Sequence, residues 1–191
     1  MVKVAVFASG SGTNFENLVT CGLSHAEITL LIVDKSDAYA LQRAEKLKIP
    51  HFFVDPKAYA DKAAYETAIE MILRHYSIDL IVLAGYMRYI GAVLLSDYSQ
   101  RIINIHPAYL PNHPGAHGIH DSFVSGDLYG GVTVHYVDDG VDTGAIIRQE
   151  KVMIHPAWDE ATFEKHIHAL EYQLYPQVVD EICAKIEHKV G

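Results

Sequence analysis

Five short runs, Val2–Ala8, Ile28–Val33, His51–Val54, Leu80–Ala84 and Ile102–His106, read as buried strands, with amphipathic stretches between them. In those stretches Tyr39, Ala40, Arg43, Ala44 and Leu47 recur at helical spacing, as do Tyr65, Ile69, Ile72 and Tyr76. A strand that is apolar on both faces must be covered on both faces. Strand, helix and strand in this rhythm therefore imply parallel pairing through right-handed crossovers. The expected fold is α/β, with a doubly wound, mostly parallel sheet. After about Gly130 the rhythm changes. Val132, Val134 and Tyr136 alternate with Thr133 and His135, a glycine-rich turn runs from Asp138 to Gly144, and Ala145–Val152 reads as a return strand. An antiparallel pair is thus expected to close the sheet toward the C-terminal end. From about Asp159 to His188 the chain reads as a helix that Pro176 breaks or kinks.

At 191 residues, with no long linker or internal repeat, the chain is expected to form one domain over residues 1–191. Its 15 basic and 24 acidic residues leave a formal charge of −9, a poor footprint for nucleic acid, which needs clustered Lys and Arg. A small phosphorylated ligand stays compatible with that charge, because backbone N–H groups at a helix terminus can hold one phosphate. Cys21 and Cys183 are far apart and in no C-x-x-C pattern, so they read as free thiols of a reducing, cytoplasmic setting. Neither the opening run nor Ile78–Ile90, interrupted by Asp79 and Arg88, is long enough to span a bilayer, and no membrane association is expected.

In open α/β sheets ligands sit beyond the carboxyl ends of the strands, which singles out the loops after Ala8, Ala84 and His106. The first carries Gly10-Ser-Gly-Thr-Asn14, between a strand and a helix expected to begin near Phe15. Glycines let several N–H groups converge, and the helix dipole adds positive potential, so a single phosphate is the natural guest. Phe15 replaces the third glycine of a dinucleotide fingerprint, and no Walker lysine follows. The competing reading is a tight turn with Asn14 as helix N-cap. The third loop follows Asn104-Ile-His106-Pro, where Asn104 and His106 share one strand face. An amide donor beside an imidazole suits a reaction that develops charge on a carbonyl oxygen; two loop-bonded polar residues are the alternative. Asp142, in Val141-Asp-Thr-Gly144, can return over His106 and favour its imidazolium form, or be an ordinary turn residue. His106, His113, His117 and His120 match no metal-ligand spacing, so no metal is expected, and His117 is kept as a candidate lining residue.

Taken in order, Gly10–Asn14, Leu83-Ala-Gly-Tyr-Met-Arg88, Asn104-Ile-His-Pro-Ala-Tyr-Leu-Pro111, Pro114-Gly-Ala-His117, Gly131–His135 and Asp142-Thr-Gly144 are shared motifs. Through them the chain resembles the phosphoribosylglycinamide formyltransferases, a folate-dependent family of purine synthesis, over essentially its whole length. The resemblance implies a Rossmann-like formyltransferase fold, with 10-formyltetrahydrofolate as co-substrate and 5-phosphoribosylglycinamide as the other small-molecule substrate. It implies that Gly12, Thr13 and Asn14 hold the ribose phosphate, and that His168 and Glu171 contact the same substrate, Glu171 through ribose hydroxyls. Met87, Arg88, Tyr89 and Ile90 would form one folate wall, and Asp138, Asp139, Gly140, Val141 and Asp142 the loop over the pterin. Asn104 and His106 would face the formyl group, with Asp142 keeping His106 charged.

Lys62 stands where some relatives carry an arginine for the folate glutamate tail, which keeps the charge but loses the bidentate fork. Asn112-His113 is variable in the family and is assigned no role. Other formyl-handling enzymes with an Asn-Ile-His motif bring an additional N- or C-terminal domain, which is not expected in a chain of 191 residues. A rival of another class is a non-catalytic nucleotide sensor, with Asp34 reading the ribose. The active form is expected to be a monomer or homodimer.

Overall fold

The computed structural model of the chain describes residues 1–190, and its strands form one seven-stranded sheet. The elements are β1 (Val2–Ala8), α1 (Thr13–Thr20), β2 (Ala26–Val33), α2 (Ala40–Leu47), β3 (His51–Phe53), a short 3-10 turn (Pro56–Ala58), α3 (Lys62–His75) and β4 (Leu80–Leu83). They continue with α4 (Ala92–Asp97), β5 (Ile102–His106), α5 (Gly118–Val124), β6 (Tyr129–Tyr136), β7 (Ile146–Met153) and α6 (Glu160–Val190). Across the sheet the order is β3-β2-β1-β4-β5-β6-β7. Strands β1 to β5 pair in parallel, whereas β6 runs antiparallel to β5 and β7 antiparallel to β6. The expected doubly wound sheet with an antiparallel pair at its C-terminal end is therefore present.

Alternation along the central strands divides the core. Val4 and Val6 of β1, with Leu80 and Val82 of β4, pack against Phe15, Leu18, Ala44 and the α6 residues Phe163, Ile167 and Val178. Ala5 and Phe7, with Ile81 and Leu83, point the other way onto Tyr65, Ile69 and Leu73 of α3 and Leu94 of α4. Strand β1 is thus covered on both faces, which is why its sequence from Val4 to Ala8 is an unbroken apolar run rather than an alternating one. By contrast β7 is an edge strand with no fully buried residue, and carries Arg148, Glu150 and Lys151. Charges of that kind protect an open edge from further strand pairing.

Two expectations are corrected. Helix α1 begins at Thr13, not near Phe15, and its N-cap is Gly12, not Asn14. Gly12 sits at φ 73°, in the left-handed region, and turns the chain two residues earlier than the side-chain pattern suggests. Nor does Pro176 break α6, which continues to Val190. A proline lacks the N–H that would bond the carbonyl four residues earlier. That carbonyl, of Tyr172, instead accepts the Asn17 side-chain amide from α1 at 2.9 Å. The helix tolerates its proline because a neighbouring helix satisfies the freed oxygen.

Tyr175, one turn further along the same face of α6, is fully buried, and its hydroxyl donates to the Leu83 carbonyl at 2.6 Å. It anchors the helix to β4 directly below the loop that follows. Burial pushes the phenol well above its ordinary pKa, so it remains a donor. Tyr175→Phe deprives a buried carbonyl of this partner and is expected to cost about 1–3 kcal/mol. In urea titration the midpoint should fall with the slope unchanged.

Candidate functional site

The chain leaves β1 for β2 and β3 on one side, then crosses back to β4 on the other side of β1. Loops after β1 and β4 therefore diverge at their carboxyl ends and open a crevice between them. A cleft of about 480 Å³ lies there, extending over the end of β5. One end is the Gly10–Asn14 turn. Ser9, the residue before it, accepts the Met87 N–H at 2.8 Å and so couples this turn to the loop after β4. Asn14 has a buried side-chain oxygen with no partner, in a residue that lines the cleft.

Over β5 the cleft gathers a polar group. The antiparallel register of β5 and β6 sets Asn104 opposite His135, and the Asn104 amide nitrogen lies 3.3 Å from His135 Nε2. His135 Nδ1 donates to the Tyr136 carbonyl at 2.8 Å, so its Nε2 is the ring nitrogen that faces Asn104 and Asp142. His106, 4% exposed, donates from Nε2 to the His113 carbonyl at 2.8 Å. Its Nδ1 faces Asp142 Oδ2 at 3.5 Å, and the other Asp142 oxygen lies 3.5 Å from His135 Nε2. Both separations suit ion pairing better than a short hydrogen bond.

Asp142 reaches this position through the turn between β6 and β7. Gly144 allows the turn to close, since a Cβ there would lie 1.6 Å from the Tyr136 carbonyl oxygen. Asp142 itself has φ 53°, a conformation that Asp adopts more readily than most residues. Its Oδ2 accepts the Gly115 N–H at 2.8 Å, so the carboxylate also ties the loop after β5 to the turn. Burial works to raise the Asp142 pKa. Hydrogen bonding from His135 and Gly115, together with the nearby imidazoles, outweighs it and holds the carboxyl below its ordinary value.

The cleft also collects Thr13, Met87, Arg88, Tyr89 and Ile90, and the turn residues Asp138, Gly140 and Val141. Asp138 stabilises that turn by accepting from the Thr143 hydroxyl at 2.6 Å and the Gly140 N–H at 3.0 Å. The Met87–Ile90 wall is held from behind by Glu66, 2% exposed, which accepts the Gly91 and Leu94 N–H groups at the start of α4. From α6 come Glu171, 5% exposed, and His168, whose Nδ1 meets Glu171 Oε2 at 2.8 Å and whose Nε2 meets Glu164 at 3.2 Å. Hydrogen bonding to Glu171 raises the His168 pKa against the opposing effect of burial.

Several candidates lie elsewhere. Lys62 is the first residue of α3, with its Cε beside Gly91, and does not line the cleft. Asp139 lines a shallow neighbouring depression with Leu95 and Ser99. His117 caps α5 outside the cleft lining, and Asp34, 7% exposed, follows β2 and does not line the cleft. His113 and His120 pair instead with Asp127 and Glu160. Among the described residues no group of three His, Cys, Asp or Glu side chains is placed to hold a metal ion, and no helix is long and apolar enough to cross a membrane. Sequence reasoning missed His135 as a member of the polar group. The β6 alternation that puts Thr133 and His135 on one face, combined with pairing against β5, is the signal that would have found it.

The formyl transferase family model matches residues 2–179. The phosphoribosylglycinamide formyltransferase of Bacillus subtilis is 46% identical over 185 residues, which is 95% of this chain and 95% of the relative. Among solved structures, the phosphoribosylglycinamide formyltransferase of Streptococcus pneumoniae matches with TM-score 0.90 and 45% identity, over 95% of this chain and 99% of that one. Glycinamide ribonucleotide transformylase 1 of Geobacillus kaustophilus matches with TM-score 0.92 and 45% identity, over 96% and 99%. With the polar group at the switch point, these matches set the identity: the chain belongs to the formyl transferase family, among its phosphoribosylglycinamide formyltransferases.

Proposed function

We propose that this formyltransferase moves the formyl group of 10-formyltetrahydrofolate onto the amine of 5-phosphoribosylglycinamide, the acceptor named in its relatives. The observation that carries the reading is the meeting of Asn104, His106 and Asp142 in one cleft with the Gly10–Asn14 turn. The turn supplies N–H groups for the phosphate, and Glu171 a buried carboxylate for ribose hydroxyls. At the other end, the exposed side chains of Met87 and Tyr89 with Val141 offer apolar surface suited to a flat heterocycle.

The substrate amine attacks the formyl carbon directly, and the carbonyl electrons move to oxygen to give a tetrahedral intermediate. The Asn104 amide nitrogen, held beside His135, has a hydrogen to give to that oxyanion. Both nitrogens of His106 face acceptors, the His113 carbonyl and Asp142, an arrangement suited to the imidazolium, whose charge stabilises the oxyanion. As the oxyanion collapses, the carbonyl re-forms and the bond from the formyl carbon to the folate nitrogen breaks; the attacking nitrogen must lose a proton and the folate nitrogen gain one. Asp142 is the carboxylate in reach to relay it through water. Neither Cys21 nor Cys183 lines the cleft, and the mechanism uses no covalent enzyme intermediate. Holding both substrates in one crevice supplies the rest of the acceleration.

A spectrophotometric assay with both substrates tests this. Transfer is expected from the wild-type protein, with His106→Ala lowering kcat by about 10²–10⁴-fold. Folate binding with slow hydrolysis but no transfer would point instead to another formyl-handling reaction. Binding of a nucleotide without folate would restore the sensor reading.

A further inference from the structure

The Gly10–Asn14 turn is shaped from outside the cleft, by α2. The Ala40 N–H donates to the Gly10 carbonyl at 3.1 Å, and Arg43 Nε donates to the Ser11 carbonyl at 2.7 Å. In a planar trans peptide the C=O and the following N–H point in opposite directions. Drawing the Gly10 and Ser11 carbonyls toward α2 therefore turns the Ser11 and Gly12 N–H groups the other way, into the space in front of α1. Neither N–H has a backbone acceptor among the described residues.

The second arm of Arg43 has a different task. Its Nη1 pairs with Glu16, an acidic residue in the first turn of α1. Glu16 favours the helix dipole but places negative charge one turn from where an anion would sit. Arg43, 22% exposed at its side chain, spends its charge there and stacks on Tyr39, so it is not a free cation awaiting phosphate.

We propose that Arg43 is a positioning residue for the phosphate of the amine substrate: its Nε aims the Gly12 N–H, and its Nη1 neutralises Glu16 beside the anion. This rests on the phosphate reading of the turn given above. Substrate affinity thus depends on a residue of α2 that makes no contact with substrate.

The test compares wild type, Arg43→Lys, Arg43→Gln and the double variant Glu16→Gln/Arg43→Gln by steady-state kinetics, with thermal melts to verify folding. Arg43→Gln is expected to raise KM for the phosphorylated amine about tenfold, the loss of one charge-assisted contact, with kcat and the folate KM within about twofold. Arg43→Lys should fall between, keeping the charge without the fork. The double variant should recover several-fold over Arg43→Gln, since the uncompensated carboxylate is gone. A lesion that merely loosens the fold would move both KM values and would not be rescued by removing Glu16. Equal changes in both KM values, or none, overturn the proposal. Inhibition by ribose 5-phosphate, compared with ribose, separates the two layers of the argument. If wild type does not prefer the phosphate, the phosphate reading itself fails. If wild type prefers it and Arg43→Gln prefers it equally, only the role of Arg43 fails.

Discussion

Asp142→Asn is expected to lower kcat by about 10³-fold while changing KM for either substrate by only a few-fold. The substitution isolates charge. Asparagine keeps an acceptor for the Gly115 N–H, has nearly the same volume, and is among the residues that best tolerate the left-handed backbone found at this position. What disappears is the carboxylate that lies 3.5 Å from each of two imidazoles and is in reach of the proton the attacking amine must shed. His135 and the Gly115 N–H outweigh burial and lower the Asp142 pKa, so the wild-type group is ionised throughout the neutral range. The sign of the accompanying stability effect follows from linkage. A depressed carboxyl pKa contributes stability above its unfolded value, and that contribution is lost as pH falls through the folded value. The wild-type advantage in melting temperature over Asp142→Asn should therefore persist from pH 7 down to about 4 and decline progressively as the pH falls further. An unchanged kcat in the variant would remove Asp142 from the chemistry.

What the sequence makes legible is decided by how locally each feature is encoded. The central strands can be read because β1 and β4 are apolar on both faces, so burial alone marks them. The six residues of α4 and the seven of α5 are too short for a periodic signal to emerge. They exist because long-range contacts complete them, as when Glu66 of α3 caps the start of α4. Pro176 misleads for the same reason: the rule that a proline ends a helix is local, and the Asn17 amide that satisfies the Tyr172 carbonyl lies 155 positions away. In the site, Asn104 and His106 could be paired from strand alternation within one segment. His135 ends the shared Gly131–His135 motif, but its place in the polar group needed the β5–β6 register, and Arg43 needed the packing of α2 on the turn. Lys62 is a position carried over from relatives alone: its side chain lies beside Gly91, next to the cleft-lining Ile90, and no local pattern in the sequence marks it.

The turn itself is the second place where one atom should matter greatly. Gly12→Ala is expected to raise KM for the phosphorylated amine by at least about 30-fold, corresponding to roughly 2 kcal/mol. Two costs combine. At φ 73° a Cβ disfavours the native backbone by about 1–2 kcal/mol. The same Cβ would lie 2.6 Å from the Ala40 Cβ and 2.8 Å from its Cα, a clash with backbone that no rotamer change relieves, and overpacking of this kind costs about 1–3 kcal/mol. Ala40 cannot retreat freely, because its N–H is bonded to Gly10 and α2 packs on the core through Ala40 and Ala44. The turn must yield instead, and its N–H groups then lose their common aim. Folate binding, proposed above for the far end of the cleft, should be almost unaffected. Isothermal titration with each substrate separately distinguishes this from general destabilisation: weakened binding of the phosphorylated amine alone is the expected result, and equal weakening of both would mean that the turn has no special relation to the phosphate.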